Sequence, residues 1–363
     1  LWFNCLQISA SHHETTTISE NGPPSMSILF IRGINDKDTA QLVPGPGGSV
    51  NYSFDGCCGV FFFMNFDSSS AEAITLFGDT FKQQQVHIKS KPSLVFNEIS
   101  DPDSHHGALK HCEVLCRQLQ LPVINHPSRI LQTTRDNIYR MLHDIPGLTV
   151  PETIRLTPRS PEDVFTEIDR AGLAFPVIVR LAGSHGGKSC ILITGRSDLD
   201  KLHVYPFDGS DFYLTEFVDY ISDDGHYRKY RIVVIDGEPL YRHHMIDSKW
   251  MIHASSRGFM EENSFLMKES FARKKAFNEQ TVPMIRPAID EITRRLQLQY
   301  YGIDCNIDEQ GNILIFEVNA NMNILSNDFQ PMEKQMQLIR EHIRQLIAHH
   351  PGGNSQGISL QGG

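Results

Sequence analysis

The chain has 363 residues, 40% of them hydrophobic and 21% charged, with a formal net charge of −10. That balance belongs to a soluble globular protein with room for two or three sub-domains, and the acidic excess argues against a nucleic-acid partner. No apolar run reaches the roughly 20 residues needed to cross a bilayer, so no membrane partner is expected.

Residues 1–25 are rich in Ser, Thr and His and are expected to be a disordered leader; the Gly-, Ser- and Gln-rich stretch 351–363 reads the same way. Ser27 to Ile31 is a strand candidate, Val43 to Gly48 a loop, and the apolar run Val60 to Met64 a buried strand. Leu94 to Asn97 is a further strand. Ala108, Leu109, Cys112, Leu115, Cys116 and Leu119 then form a helical stripe, and Pro122 to Asn125 returns as a strand. This alternation predicts a small α/β domain over 26–128 with a largely parallel sheet. His105, His106, His111, Cys112 and Cys116 have the chemistry of a zinc site, but most fall inside the helix, so zinc is not the reading adopted. The seven cysteines are scattered with no C-x-x-C pair, which predicts reduced thiols in a cytoplasmic protein.

A second unit is expected over 129–218. Ser160-Pro161-Glu162-Asp163 is a helix start, with a Ser cap, Pro at the first position and acids in the first turn; Gly172 ends that helix. Strands follow at Pro176 to Arg180, Ser189 to Thr194 and Phe212 to Val218, with a short helix near Ser197 to Val204. A third unit, 219–350, opens with Tyr230 to Ile235, a tight Asp236-Gly237 turn and Pro239 to His243. A helix over Pro287 to Leu298, a hairpin from Ile303 to Val318 and a last helix over Gln330 to Ala348 complete it.

Four patches carry chemistry. In Arg180-Leu181-Ala182-Gly183-Ser184-His185-Gly186-Gly187-Lys188-Ser189, glycines let backbone N–H groups face an anion; Ser184 adds a donor and Arg180 can reach phosphate oxygens. Glu216, Phe217, Val218 and Asp219 run from a strand into a linker, where backbone groups can pair with adenine and an acid can hold a ribose. Lys229 and Arg231 share a strand face, with Arg242 on the next strand. In the last hairpin, Glu317 and Asn319 point the same way, and the register can set Asp304 beside them. Two carboxylates and an amide oxygen make a hard donor set that suits magnesium, or manganese, and suits zinc poorly.

In order, these pieces resemble the ATP-grasp superfamily over roughly residues 90 to 325. Asn97 to Asp103, Pro122 to Pro127 and the His243-to-His253 segment are similar to ATP-grasp modules that also occur fused to tetratricopeptide repeats. The resemblance implies an ATP-grasp fold: a pre-grasp α/β domain and two α+β sub-domains enclosing the nucleotide. It implies ATP between the second and third units, magnesium on Asp304, Glu317 and Asn319, and Arg231 facing the γ-phosphate. Arg180 and Arg135 stand where the family usually carries lysines, which keeps the charge but changes its geometry. By position after Arg242, His243, His244, Trp250 and His253 are expected in the acceptor region. The implied activity is carboxylate–amine ligation through an acyl phosphate on a small-molecule carboxylate and an amine, or a peptide. Self-association into a homodimer is left open. A small-molecule kinase and a nucleotide-binding module without turnover are the alternatives.

Overall fold

The computed structural model describes residues 27–39, 41–44, 49–53, 56–66, 70–78, 86–184, 187, 189–253, 255–322, 324 and 333–350. The expected leader and tail, His185, Gly186 and Lys188 lie outside the described residues.

The first sheet is parallel and ordered β4-β1-β5-β6, from Ala71–Leu76 (β4), Ile28–Gly33 (β1), Leu94–Asn97 (β5) and Val123–Ile124 (β6). Its strands β1 and β5 are apolar on both faces, as a sheet covered on both sides requires. Helix α2, His106–Leu119, buries its Ala108, Leu109, Cys112 and Cys116 stripe against it. Two expectations fail here. Val60–Met64 is a short helix, α1, and not a strand: left-handed Gly59 and Asn65 bracket it, and Val60 and Met64, one turn apart, are its buried residues. A five-residue apolar run carries too little period to choose between the two. The region read as a loop from Val43 contains strand β2, Gln41–Pro44, paired with β3, Val50–Ser53.

The second sheet, β10-β9-β11-β8, is antiparallel, from Cys190–Ile193 (β10), Val177–Leu181 (β9), Phe212–Glu216 (β11) and Thr153–Leu156 (β8). Helix α5, Pro161–Ala171, packs on it; the Ser160 side chain accepts the Asp163 N–H, and Gly172 closes it in the left-handed conformation. A 3-10 stretch, Arg196–Val204, supplies Leu202 to the same core.

The third sheet is ordered β13-β12-β14-β15-β7, from Glu238–Asp247 (β13), Tyr227–Ile235 (β12), Tyr300–Ile307 (β14), Ile313–Ala320 (β15) and Leu148–Thr149 (β7). Asp236 and Gly237, with φ of 51° and 81°, make the tight turn that their sequence predicts. Helices α3 (Pro127–Ile130) and α4 (Arg135–Leu142) lead to β7, so the segment before Thr153 packs on this sheet. Helices α6 (Ser256–Glu262) and α7 (Ser264–Ala276) follow β13, and α8 (Val282–Leu296) and α9 (Glu333–His349) cover the sheet. Two apolar cores each draw residues from both the first and third units, whereas the second sheet has a core of its own. Among the described residues no helix is long and apolar enough to cross a membrane. None of Cys57, Cys58, Cys112, Cys116, Cys190 and Cys305 is in a disulfide.

Candidate active site

A cleft of ≈ 1040 Å³ runs between the second sheet and the third, with the first unit closing one end. Two β-bulges shape its floor. Arg231 pairs with His243 while Ile232 pairs with Tyr241, so Arg242 is an extra residue and both Arg242 and His243 line the cleft. Asp304 pairs with Glu317 while Cys305 pairs with Ile315, which makes Phe316 extra and turns Phe316 and Glu317 both to the cleft.

Asp304 and Glu317 therefore face each other across neighbouring strands, with Asn319 opposite Gly302 two positions on. Asp304 is buried and takes the Arg231 fork on both oxygens, Nε–Oδ1 at 2.6 Å and Nη2–Oδ2 at 2.8 Å; Lys229 Nζ lies 3.4 Å from Oδ2. Burial alone would raise the Asp304 pKa, but Arg231 and then Lys229 outweigh it and hold the carboxyl well below the usual range. Glu317 accepts from Arg135, whose other arm donates to the Phe316 carbonyl at 3.1 Å. Lys229 also donates to the Ile252 carbonyl at 2.7 Å.

Gly183 and Gly187, the described glycines of the glycine-rich turn, line the roof. Arg180 lines the cleft and donates to the Ser184 carbonyl at 2.7 Å; burial, then the nearby Arg135, lowers its pKa. The Ser184 hydroxyl turns back to the Leu181 carbonyl at 2.6 Å and is not among the cleft-lining residues, whereas Gly187 is. At the hinge, Glu216, Phe217 and Val218 line the cleft; Asp219 is exposed, outside the lining, and accepts the Ile221 N–H at 3.2 Å.

His243, Trp250 and His253 line the cleft, but Trp250 lies at the hinge and not at the acceptor end, its ring 5.6 Å from that of Phe217. Burial, then Arg231, pushes the His243 pKa well below its ordinary value. His244 is not brought to the site: strand alternation after the bulge turns it into the core, with its ring 4.4 Å from that of Tyr230. Arg257 on α6, Tyr220, Met251, Asn321, and Ser104 and His105 of the first unit also line the cleft, and the sequence reading named none of these for the site. For Ser104 and His105 a signal existed, since they follow the acidic turn Asp101-Pro102-Asp103 at the start of α2. Arg257 lies in a segment with no periodicity to mark it.

The order of three sheets, the glycine turn over a cleft and the paired carboxylates on a bulged hairpin define the ATP-grasp fold, and the chain has it. Solved structures of the same fold agree. D-alanyl-alanine synthetase A from Vibrio cholerae superposes with a TM-score of 0.54 at 11% identity, covering 91% of this chain and 99% of that one. N5-carboxyaminoimidazole ribonucleotide synthetase in an ADP complex gives 0.51 at 12% identity, over 93% and 80% of the two chains. In sequence, N-acetylaspartylglutamate synthase A of Mus musculus is 29% identical over 265 residues, which are 70% of this chain and 63% of the relative. The Homo sapiens protein of that name is 28% identical over 265 residues, 70% and 61% of the two. The chain thus spans less than two thirds of the length of these curated relatives. No family model matches it.

Proposed function

We propose that the chain is an ATP-dependent carboxylate–amine ligase that activates a carboxylate as an acyl phosphate and releases ADP and phosphate. The observation that carries the reading is the convergence of Asp304 and Glu317, at facing strand positions, with Arg135, Arg180, Lys229 and Arg231 in one cleft. Such a set of cations around two carboxylates is costly without an anion to share. The triphosphate is that anion, and the backbone of Glu216 to Val218 is the edge on which adenine would pair.

The donor set fits a hard divalent cation: Asp304 is held ionised, Glu317 and Asn319 reach the cleft, and all three offer oxygen. Magnesium, or manganese, would neutralise charge on the β- and γ-phosphates when bound there. Both Asp304 oxygens are shared with Arg231, so Arg231 would turn toward phosphate as Asp304 takes up the metal.

The chain's own part in the chemistry is positioning and electrostatic stabilisation. Arg180 and Arg135 hold phosphate oxygens. Arg231 and Lys229 face the transferring phosphoryl group, where charge builds as the substrate carboxylate attacks phosphorus. Attack of the amine on the acyl carbon forms the C–N bond and an oxyanion that Arg242 neutralises; collapse breaks the C–O bond, phosphate leaves, and the nitrogen gives up its proton to the departing phosphate or to water.

N-acetylaspartylglutamate, for which the mouse and human relatives are named, joins two dicarboxylic residues. Arg242 and Arg257 add positive charge to the acceptor end; burial first, then Arg231, then Arg257 lowers the Arg242 pKa to about 10. Acidic substrates are therefore the class proposed. The test is ADP release with N-acylated dicarboxylates and a panel of amino acids, with the product identified by mass. An amide appearing only with both partners supports the ligase. ADP with a phosphorylated product would assign a kinase, and nucleotide binding without turnover a passive module.

A further inference from the structure

The acidic turn Asp101-Pro102-Asp103, which the ligase reading leaves unused, meets the second sheet. Asp103 accepts from the Tyr213 hydroxyl at 2.9 Å on each oxygen and pairs with Arg155. Tyr213 and Arg155 are directly opposed across β11 and β8, and the Arg155 guanidinium lies 5.3 Å from the centre of the Tyr213 ring. The Asp103 side chain is only 9% exposed. A second approach lies beside it: a Cβ on Gly183, whose φ is +68°, would stand 3.2 Å from the Ser104 Cβ.

Asp101 builds the turn that makes this reach possible. Its Oδ1 accepts the Asp103 N–H at 2.8 Å and its Oδ2 the Ser104 hydroxyl at 2.5 Å. Proline between the two acids fixes φ and stiffens the turn. The next two residues, Ser104 and His105, line the cleft and are joined to each other at 2.8 Å. The five residues Asp101 to His105 thus hold the second sheet with one side chain, Asp103, and present the next two to the cleft.

The second sheet has a core of its own, so it is attached to the rest by its hinge strands and by polar contacts of this kind. The geometry points to Asp103 as a positioning residue, a latch that ties closure of the nucleotide-covering sheet to the placement of Ser104 and His105. The latch makes a closed roof and an assembled acceptor end one event, which keeps water from the activated carboxylate until the amine is in place. This role rests on the ligase reading, but the contact itself can be tested without it.

Hydrogen exchange on the full chain, alone and with a non-hydrolysable ATP analogue, reads the latch directly. Asp103→Asn loses the charge that Arg155 pairs with, and Tyr213→Phe loses one hydroxyl at constant packing. Each is expected to raise exchange in the peptides spanning 98–109 and 177–184 together. Unchanged exchange in both peptides with both variants would overturn the latch. In turnover, kcat/KM for the amine should fall at least about tenfold, because small misplacements carry large rate penalties, while nucleotide Kd stays within about threefold. ADP released per amide formed should rise above one as water replaces the amine. Unchanged coupling together with unchanged kcat/KM would also overturn the proposal. If the wild type makes no amide with any pair of substrates, the ligase reading fails, and the exchange measurement still decides the latch.

Discussion

At the scale of single residues, the two acids of the hairpin play different parts despite facing each other. Asp304 is buried under Arg231 and Lys229, whereas Glu317 and its partner Arg135 keep side-chain exposures of 27% and 21%. Removing Arg231 takes both short contacts from a buried carboxylate and leaves it Lys229 at 3.4 Å. Arg231→Ala should cost about 3–5 kcal/mol of stability, seen as a lower urea midpoint, as well as turnover. Glu317→Gln separates the two effects: an ion pair this accessible is worth at most about 1 kcal/mol, so the fold should hold. Its ADP release should nonetheless drop at least about a hundredfold, the scale of one lost preorganised electrostatic contact. Retained turnover in Glu317→Gln would remove the hairpin from the chemistry.

His244 supplies a pH test at the same scale. Its pKa is pulled down to about 3, by burial first, with Arg273 and Arg228 adding and Glu269 opposing. The unfolded imidazole, titrating near 6.5, takes a proton that the folded one refuses. The stability this group contributes is therefore complete above about pH 6.5 and declines as pH falls toward 3, by about 1.4 kcal/mol per pH unit. His244→Leu should remove that slope. Parallel curves for variant and wild type between about pH 5 and 6.5 would show that the ring titrates normally in the fold.

At the scale of elements, what could be read from the sequence follows from how local each signal is. The α5 start was legible because cap, proline and acids sit within four residues, and Ser160 does accept the Asp163 N–H at 3.3 Å. Ser160→Ala should cost about 1 kcal/mol with turnover unchanged, since the helix end is exposed and lies outside the cleft lining. That Asp304 and Glu317 share one hairpin was also legible from two strands and a turn, but their direct pairing was not: the unbroken register would set Asp304 opposite Phe316. The bulges were not: nothing in the residue types at Arg242 or Phe316 announces an extra residue. Alternation alone cannot put the adjacent Arg242 and His243, or Phe316 and Glu317, at one surface. It likewise could not tell that His244 turns inward. Helices α6 and α7 escaped for another reason. Phe265 and Phe271 on α7 are exposed apolar residues, which blurs the periodicity that marks an amphipathic helix.

At the scale of the whole molecule, the first and third units behave as one body because they share cores and a buried asparagine hub. Asn97, Asn125 and Asn321 are each fully buried. Asn125 Oδ1 accepts the N–H groups of Gln299 at 2.8 Å and Tyr300 at 3.1 Å, and its amide donates to the Tyr300 carbonyl and to Asn321. Asn321 in turn donates to the carbonyls of Asn97 and Ile99, both at 2.9 Å. The hub thus ties the ends of β5 and β6 to the strand that carries Asp304, and fixes the part of the cleft that Asn321 lines. Asn125→Ala would leave the buried Tyr300 N–H, the half-buried Gln299 N–H and the Asn321 oxygen without this partner, at about 1–3 kcal/mol for each buried group. A loss of at least about 3 kcal/mol is expected. Asn125 also has φ of 55°, a left-handed backbone that costs alanine about 1–2 kcal/mol and glycine almost nothing. Asn125→Gly should therefore be milder than Asn125→Ala by about that amount while losing the same hydrogen bonds. Urea unfolding of the two variants checks both parts. Equal losses would take the backbone out of the argument. A loss below about 1 kcal/mol in both would mean that water satisfies these groups, and that the shared apolar cores alone join the units.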